Sequence, residues 1–295
     1  MGKNRRTLAT WFRRIGLRIR SHIPLKMGVL VNEPFTTYLD EVNGNRVRKI
    51  PFIATEELLW LLGFALADGS TLPHGRKLEI GNTEFGLLPI LKKALSKYGR
   101  ISVAYDSLFS RYYPTQKTTT VEYKKNVPPD SANYFRINLY NAAFCRLIKN
   151  EFQSINPETI ESAFSEERWA RAFLAGLWDA DGWVFWNQYK RRDSNREELT
   201  VRIGIAQKSS VSKYLINKVR STLTNWGIGT RETRNTVKSW IIRNGKKYHS
   251  NSHMSGLVVA NFGAASRWVR IFNGSLRHPE KIRRVNELVQ MGFGS

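Results

Sequence analysis

Leu61-Leu62-Gly63-Phe64-Ala65-Leu66-Ala67-Asp68-Gly69 recurs 113 residues later as Leu174-Ala175-Gly176-Leu177-Trp178-Asp179-Ala180-Asp181-Gly182, with the same residue at five of the nine positions. That separation is one small domain's length, so the chain reads as an internal duplication. Each copy ends an apolar, helix-like run with a carboxylate followed by glycine. A glycine there predicts a helix stop in the left-handed conformation. Asp68 and Asp181 then fall in a last turn, where the helix macrodipole disfavours negative charge. Gly63/Ala67 and Gly176/Ala180 are small residues at i and i+4, forming a shallow groove that lets another helix approach closely. If the two grooves face each other, the aspartates meet at one end of the helix pair. Two carboxylates beside two negative helix ends repel unless a cation lies between them, and hard divalent ions prefer oxygen ligands.

Composition points to the partner. The 295 residues carry 47 Lys and Arg against 24 Asp and Glu, a net charge of +23, with 41% hydrophobic residues. That core fraction suits two fused subdomains. Self-repulsion on this scale is tolerated mainly when a polyanion neutralises it, so nucleic acid is the expected partner. Cys145 is the single cysteine, which excludes a disulfide framework and a zinc ribbon and suits a reducing compartment, a prokaryotic cytoplasm or an organelle matrix. His249 and His253 have i,i+4 spacing without the Glu that a metalloprotease helix needs. The longest apolar run, Leu58 to Ala67, is too short to span a bilayer, so no membrane partner is expected.

The paired signatures resemble the LAGLIDADG homing endonucleases in their single-chain form. The second copy matches that consensus at eight of nine positions and the first at five, with Leu66 where the consensus has its earlier Asp. The resemblance implies a mixed α+β fold of two pseudo-symmetric αββαββα repeats, whose motif helices pack at the interface beneath a saddle-shaped antiparallel β-surface. It also implies Asp68 and Asp181 as catalytic acids and metal ligands, with Ala67 and Ala180 beside them in the metal set. Magnesium is the expected cofactor, manganese a substitute, and calcium a support for binding without cleavage. Gln207 and Lys208 stand where similar proteins carry polar residues around the attacking water, and Lys281 resembles a basic position brought toward the phosphates. The first repeat departs from this pattern, with Asn82-Thr83 at the corresponding place.

The organisation follows the duplication: a basic extension over 1–54, a first repeat over 55–164 and a second over 165–295. Thr55-Glu56-Glu57 and Ser165-Glu166-Glu167 each read as a hydroxyl cap and two acids opening a motif helix. After each motif the pattern predicts strand, helix, strands and helix. The strands lie at Lys77–Gly81, Ile101–Tyr105, Thr118–Lys124 and Tyr134–Asn138 in the first repeat. In the second they lie at Thr200–Ala206, Gly229–Arg234, Ser239–Arg243 and Leu257–Ala260, and Pro279–Met291 adds a last helix. The segments Arg136–Asn141 and Leu257–Phe262 read as counterparts.

Recognition of duplex DNA needs a ribbon whose alternate side chains reach base edges in the major groove. Arg76, Lys77 and Glu79 fit the first repeat. Asn187, Tyr189, Arg191, Arg192, Arg196, Thr200 and Arg202 fit the second. Further candidates are Arg111, Lys117 and Lys124, then Arg231, Arg234, Lys238, Arg243 and Lys246; many would contact phosphate rather than bases. The motif-to-strand-end spans are unequal, 26 residues from Asp181 to Gln207 and 14 from Asp68 to Asn82, so an asymmetric target is expected. The reading is a monomeric, metal-dependent, sequence-specific endonuclease that makes a double-strand break. The chain begins with Met and lacks intein-terminal chemistry, which suits a free-standing, intron-encoded enzyme. Its alternatives are an RNA maturase acting on intron RNA and a DNA-binding regulator without catalysis.

Residues 1–50 are Arg-rich and hold no acid before Glu33. They read as a basic arm along a phosphate backbone, an organellar presequence or a docked helix with a solvated basic face. Affinity for DNA should fall linearly on a log–log salt plot by about 0.9 per phosphate contact. Under the arm reading, deleting residues 1–50 flattens that slope; an unchanged slope favours the other two.

Overall fold

The computed structural model describes residues 36–43, 46–51, 55–72, 75–113, 118–190, 197–243 and 246–294. Of 36–51, 110–113, 118–122, 142–143, 208–212, 235–243 and 246–252 it describes the backbone course alone. Within the basic extension, β1 (Thr36–Asn43) and β2 (Arg46–Pro51) pair antiparallel as a separate ribbon. The rest of that extension, 1–35 included, lies outside the described residues.

The first repeat opens with α1 (Glu56–Ala67), capped as its sequence predicts: the Thr55 hydroxyl accepts the Leu58 amide at 3.1 Å. Then come β3 (Gly69–Thr71), β4 (Lys77–Asn82), α2 (Leu87–Ser96), β5 (Arg100–Tyr113), β6 (Thr118–Lys124) and β7 (Tyr134–Tyr140). It closes with α3 (Ala142–Leu147), a π-helical turn (Ile148–Gln153) and α4 (Pro157–Ala163). The second repeat runs α5 (Glu167–Asp181), β8 (Gly182–Lys190), β9 (Glu197–Lys208), α6 (Ser209–Asn225), β10 (Thr230–Arg243), β11 (Lys246–Val259), α7 (Phe262–Phe272) and α8 (Pro279–Gln290). Glu166, not Ser165, is the cap of α5, and it makes no side-chain cap bond. The Ser165 hydroxyl donates back to Ser162 O at 2.8 Å, finishing α4 instead.

The strands form one nine-stranded sheet in the order β3-β4-β7-β5-β6-β10-β11-β9-β8. β4–β7–β5 and β9–β11–β10 are the matching halves, which makes β7 and β11 the counterparts expected from sequence. The first repeat adds a strand to the αββαββα pattern. β5 is long enough to pair with β7 through Asp106 and with β6 from Ser107 onward, and β6 then joins β10 in the one parallel pairing among the described residues. Gly229–Arg234 and Ser239–Arg243 are not two strands either. β10 runs unbroken against β11 from Thr230 to Arg243, because every intervening residue keeps a partner in register.

Alternation along the strands fixes the layers. Leu78, Ile80, Phe135, Ile137, Leu139, Ile203, Ile205 and Leu257 are buried on one face, under the helices. The opposite face carries the intervening polar and aromatic side chains. α1 is buried from Leu58 through Leu66, and α5 buries Trp169, Phe173, Leu174, Leu177 and Trp178. Each such large apolar side chain contributes roughly 1.5–3 kcal/mol, so the two motif helices are the centre of the core rather than a surface feature. No helix among the described residues is long and apolar enough to cross a membrane.

α1 and α5 touch through backbone. A Cβ on Gly63 would lie 2.1 Å from Phe173 O, and one on Gly176 would lie 2.0 Å from Trp60 O. Phe173 and Trp60 hold equivalent places in the two copies, so the contact is reciprocal about a pseudo-twofold. The motif's closing glycines act differently from the expectation. Gly182 is extended (φ −84°, ψ 164°) and Gly69 opens β3, so neither ends its helix in the left-handed conformation. A Cβ on Gly69 would meet Ala65 O at 2.2 Å, and one on Gly182 would meet Trp178 Cδ1 at 2.4 Å. Glycine is needed there because the chain turns straight from helix into strand past its own last turn.

Gly176→Ala should destabilise the fold by about 1–3 kcal/mol, since the clash is with backbone that cannot rotate away. Gly229→Ala is the control, its added methyl meeting only Ala260 Cβ at 3.8 Å. Urea unfolding of the two variants checks the contrast.

Candidate active site

Asp68 caps α1, its amide bonded to Phe64 O at 2.9 Å, and its Oδ2 accepts from Asn82 Nδ2 at 3.1 Å. Asp181 is the last residue of α5, and its Oδ2 accepts from Gln207 Nε2 at 2.5 Å. Asn82 and Gln207 each follow an inward isoleucine by two, Ile80 and Ile205, so both amides reach from the helix side of the sheet toward the helix ends. Asn82 is therefore the geometric counterpart of Gln207. Burial, then the nearby Asp181 carboxylate, pushes Asp68 up to about 7 against the pull of Asn82 and Lys281. The two acids share one electrostatic site.

The ends of the two motif helices are capped differently. Lys281 reaches from the first turn of α8, and its Nζ donates to Trp178 O (2.5 Å), Asp179 O (2.7 Å) and Ala180 O (3.3 Å). Burial pushes this ammonium down to about 8, while Asp179, Asp68 and Asp181 hold it up. A cation on the last carbonyls offsets the negative helix end. At α1 the neutral Gln153, from the π-helical turn, donates to Gly69 O at 2.7 Å and accepts from the Thr71 hydroxyl at 2.7 Å. Nothing in the sequence around Gln153 signals that role.

Asp179 was not among the residues singled out by sequence. It is fully buried, and its Oδ2 accepts from Trp60 Nε1 and the Arg277 amide, both at 2.7 Å. Burial pushes the carboxyl up to about 6 against those bonds, and the Arg277 guanidinium lies over the Trp60 ring at 4.7 Å. Asp179 thus ties the turn before α8 to both motif helices, which sets where Lys281 stands. The available signal was the consensus acid itself, present in the second copy and replaced by Leu66 in the first.

The open sheet faces of the two repeats differ. Lys77 pairs with Glu79 at 2.9 Å, Arg136 reaches Glu79 at 3.2 Å, and Arg136 grips the buried Asp106, whose Oδ2 also accepts the Tyr123 hydroxyl at 2.5 Å. Although burial opposes it, these donors hold Asp106 below the usual carboxylate range. The first face is thus a self-neutralised ionic network. On the second, Trp183, Phe185, Asn187 and Tyr189 alternate along β8 opposite Gly204, Arg202, Thr200 and Glu198. Arg231 shares this face through Val258, which pairs with both Arg231 and Gly204. Arg234 does not: it bonds Glu232, whose partner Leu257 points into the core. Arg76 and Lys124 are exposed at the first repeat. Lys117, Arg191, Arg192 and Arg196 lie outside the described residues, as do the side chains of Arg111, Lys208, Lys238, Arg243 and Lys246.

Among the described residues no three His, Cys, Asp or Glu side chains gather as a metal cluster. Two carboxylates in one electrostatic site, one of them raised by burial and then by the other, still fit a hard divalent ion, which commonly takes one or two carboxylates and completes its shell with water and substrate phosphate. Asp68 and Asp181 would hold it. The Ala180 carbonyl is already engaged by Lys281.

Residues 168–253 match the family model described as the LAGLIDADG-like domain. The match covers α5 with its motif, β8, β9, α6, β10 and the first part of β11, and it bears out the resemblance seen in the second copy of the motif. Among solved structures, the chain is similar to mesophilic variants of the homing endonuclease I-DmoI (15% identity, 74% of this chain and 95% of that one, TM-score 0.40). It is similar also to the LAGLIDADG homing endonuclease I-SmaMI bound to cleaved DNA (12%, 81% and 90%, 0.45) and to full-length DUF199/WhiA from Thermatoga maritima (16%, 82% and 63%, 0.43). No curated protein matches the chain.

A carboxyl whose folded-state value is raised from 3.8 to about 7 is protonated more readily in the native state than in the unfolded one. Its effect on metal-free stability is a loss that grows as pH rises from about 4 to about 7 and then levels. In EDTA this lowers the thermal midpoint across that window, as Asp179 does more weakly, while His278, pushed down by burial from 6.5 to about 4, acts in the opposite sense between those values. Asp68→Asn should therefore raise the midpoint near neutral pH relative to the parent chain and leave it little changed near pH 4.

Proposed function

We propose that this protein is a divalent-metal-dependent, sequence-specific DNA endonuclease, using magnesium to make a double-strand break at a long asymmetric site. The observation that carries the reading is the meeting of Asp68 and Asp181 at the C-terminal ends of two helices, a place where uncompensated acids are unfavourable. A protein that only bound DNA would gain nothing from two acids facing a polyanion. With both acids in one chain, no second copy is needed, which supports a monomer.

The roles of the chain's own groups follow from their bonds. Asn82 and Gln207 each fix one carboxylate oxygen of an acid, so the other oxygen is aimed by the strand end. Lys281, held on three carbonyls beside both acids, lowers the negative potential that would repel phosphate. Lys208, next along β9 from Gln207, is assigned to charge developing at one scissile phosphate, and the first repeat has Thr83 there. A bound magnesium would supply an activated water and neutralise charge at the phosphate. The basic and aromatic face of the second repeat, with its longer β8–β9 hairpin, makes the larger share of duplex contacts, including Asn187, Thr200 and Arg202.

Incubation with magnesium and a duplex library that includes the intronless host gene should give discrete double-strand cuts; intron RNA in parallel tests the maturase alternative. Asp68→Asn and Asp181→Asn should each abolish or severely impair cutting while binding in calcium holds or tightens, because a negative charge facing phosphate has been removed. Full cleavage by either variant would overturn the assignment of the acids.

A further inference from the structure

Trp183 stands one residue after the motif glycine, on the open face of β8, directly opposite Gly204 on β9. A Cβ on Gly204 would lie 2.4 Å from Trp183 Cζ2 and 2.8 Å from its Cε2. A Cβ at that position points out of the sheet, so the six-membered ring lies across the strand above Gly204 instead of standing upright. The glycine makes the room. Trp183 is part-exposed, Phe185 is 43% exposed beside Arg202, and Val258 and Arg231 continue the same row across β11 and β10. The result is an aromatic and apolar floor edged by two guanidinium groups, on a chain with a net charge of +23.

The first repeat differs at the matching place. Ser70 stands opposite Glu79, and the row continues through Asn138 and Ser102, with Glu79 tied to Lys77 and Arg136. That surface is hydrophilic and its charges are already paired.

We propose that the Trp183–Gly204 platform binds the face of an unpaired nucleotide of the DNA substrate, next to Asp181, on the second-repeat side only. A duplex shows the grooves only base edges, with base faces hidden in the stack. A part-exposed indole reaching across a strand instead offers ring surface to a base, and aromatic side chains on open sheets hold unstacked bases with little sequence preference. Arg202 and Arg231 supply charge for the flanking phosphates. The platform begins two residues from the acid, so the nucleotide it takes lies beside the cleavage point. This rests on the endonuclease reading and deepens it: the substrate is engaged with one base out of its stack on one side.

The test is fluorescence anisotropy in EDTA, where no cleavage enters, with labelled 20-nucleotide oligo(dT), oligo(rU) and a 20-base-pair duplex. Trp183→Ala removes the ring on which a base would stack, so it should weaken oligo(dT) binding about tenfold or more, with duplex affinity changing much less. Trp183→Phe, which keeps a ring, should recover most of it, and Phe185→Ala should weaken oligo(dT) binding in the same sense from the next position on the same face. Equal loss for single strand and duplex, or no loss, overturns the platform. Oligo(rU) bound far more tightly than oligo(dT) through Trp183 overturns the DNA assignment in favour of RNA. Failure of the nuclease reading would show as absent cutting with these binding ratios intact, whereas failure of the platform would leave cutting intact.

Discussion

Gly63 and Gly176 let two helix backbones come into contact, each glycine resting on the carbonyl of the other helix. No side chain could stand in that gap, so the glycines fix the crossing point of α1 and α5, and everything beyond it is set by counting residues. Asp68 and Asp181 each lie five residues past their glycine and therefore arrive at the same end of the pair. The cost of bringing two acids and two helix C-termini together is met by asymmetric means: Lys281 on one side, Gln153 on the other, and one strand-end amide for each acid.

The asymmetry extends outward from that centre. Asp179, present only in the second copy, holds the turn that brings Lys281 in, and Trp60, on the first motif helix, is its hydrogen-bond donor. The two copies are thus no longer interchangeable halves; one has kept the buried acid and the other supplies its partner. The sheet faces diverge in the same sense. The first binds its own charges in the Lys77–Glu79–Arg136–Asp106 network, whereas the second leaves aromatic rings and Arg202 open. An added strand, β6, joins the halves through a parallel pairing with β10, so the sheet is continuous while its two working surfaces are chemically distinct.

Much of this was legible in order of residues. Duplication, the motif helices, the alternating strands of the two halves and the pairing of Arg136–Asn141 with Leu257–Phe262 follow from periodicity, which is local and survives in any one-dimensional reading. The Gln207–Asn82 correspondence was visible as position and gained its meaning when both amides proved to bond an aspartate. Other readings failed where context outweighed propensity. Gly69 and Gly182 looked like left-handed stops but are extended, because a chain turning straight into a strand has to pass its own last turn without a Cβ. Gly229–Arg234 and Ser239–Arg243 looked like two strands because the polar residues between them resemble a turn, yet pairing with β11 carries the strand through. Arg234 fits a DNA-facing pattern by charge and falls on the other face by register, since one step along a strand reverses its side.

What the sequence by itself determined is therefore the acid pair, the helix contact that joins it and the basic character of the surface, because each is written in residue type and spacing. Only the tertiary structure decided which groups reach those acids. Lys281, Gln153, Asp179 and Trp60 are separated from their partners by between 82 and 119 residues, and no local pattern encodes a contact over that distance. Nor could spacing reveal that Trp183 reaches over Gly204, since the place of a ring depends on the neighbouring strand, and that strand is selected by the packing of the whole sheet.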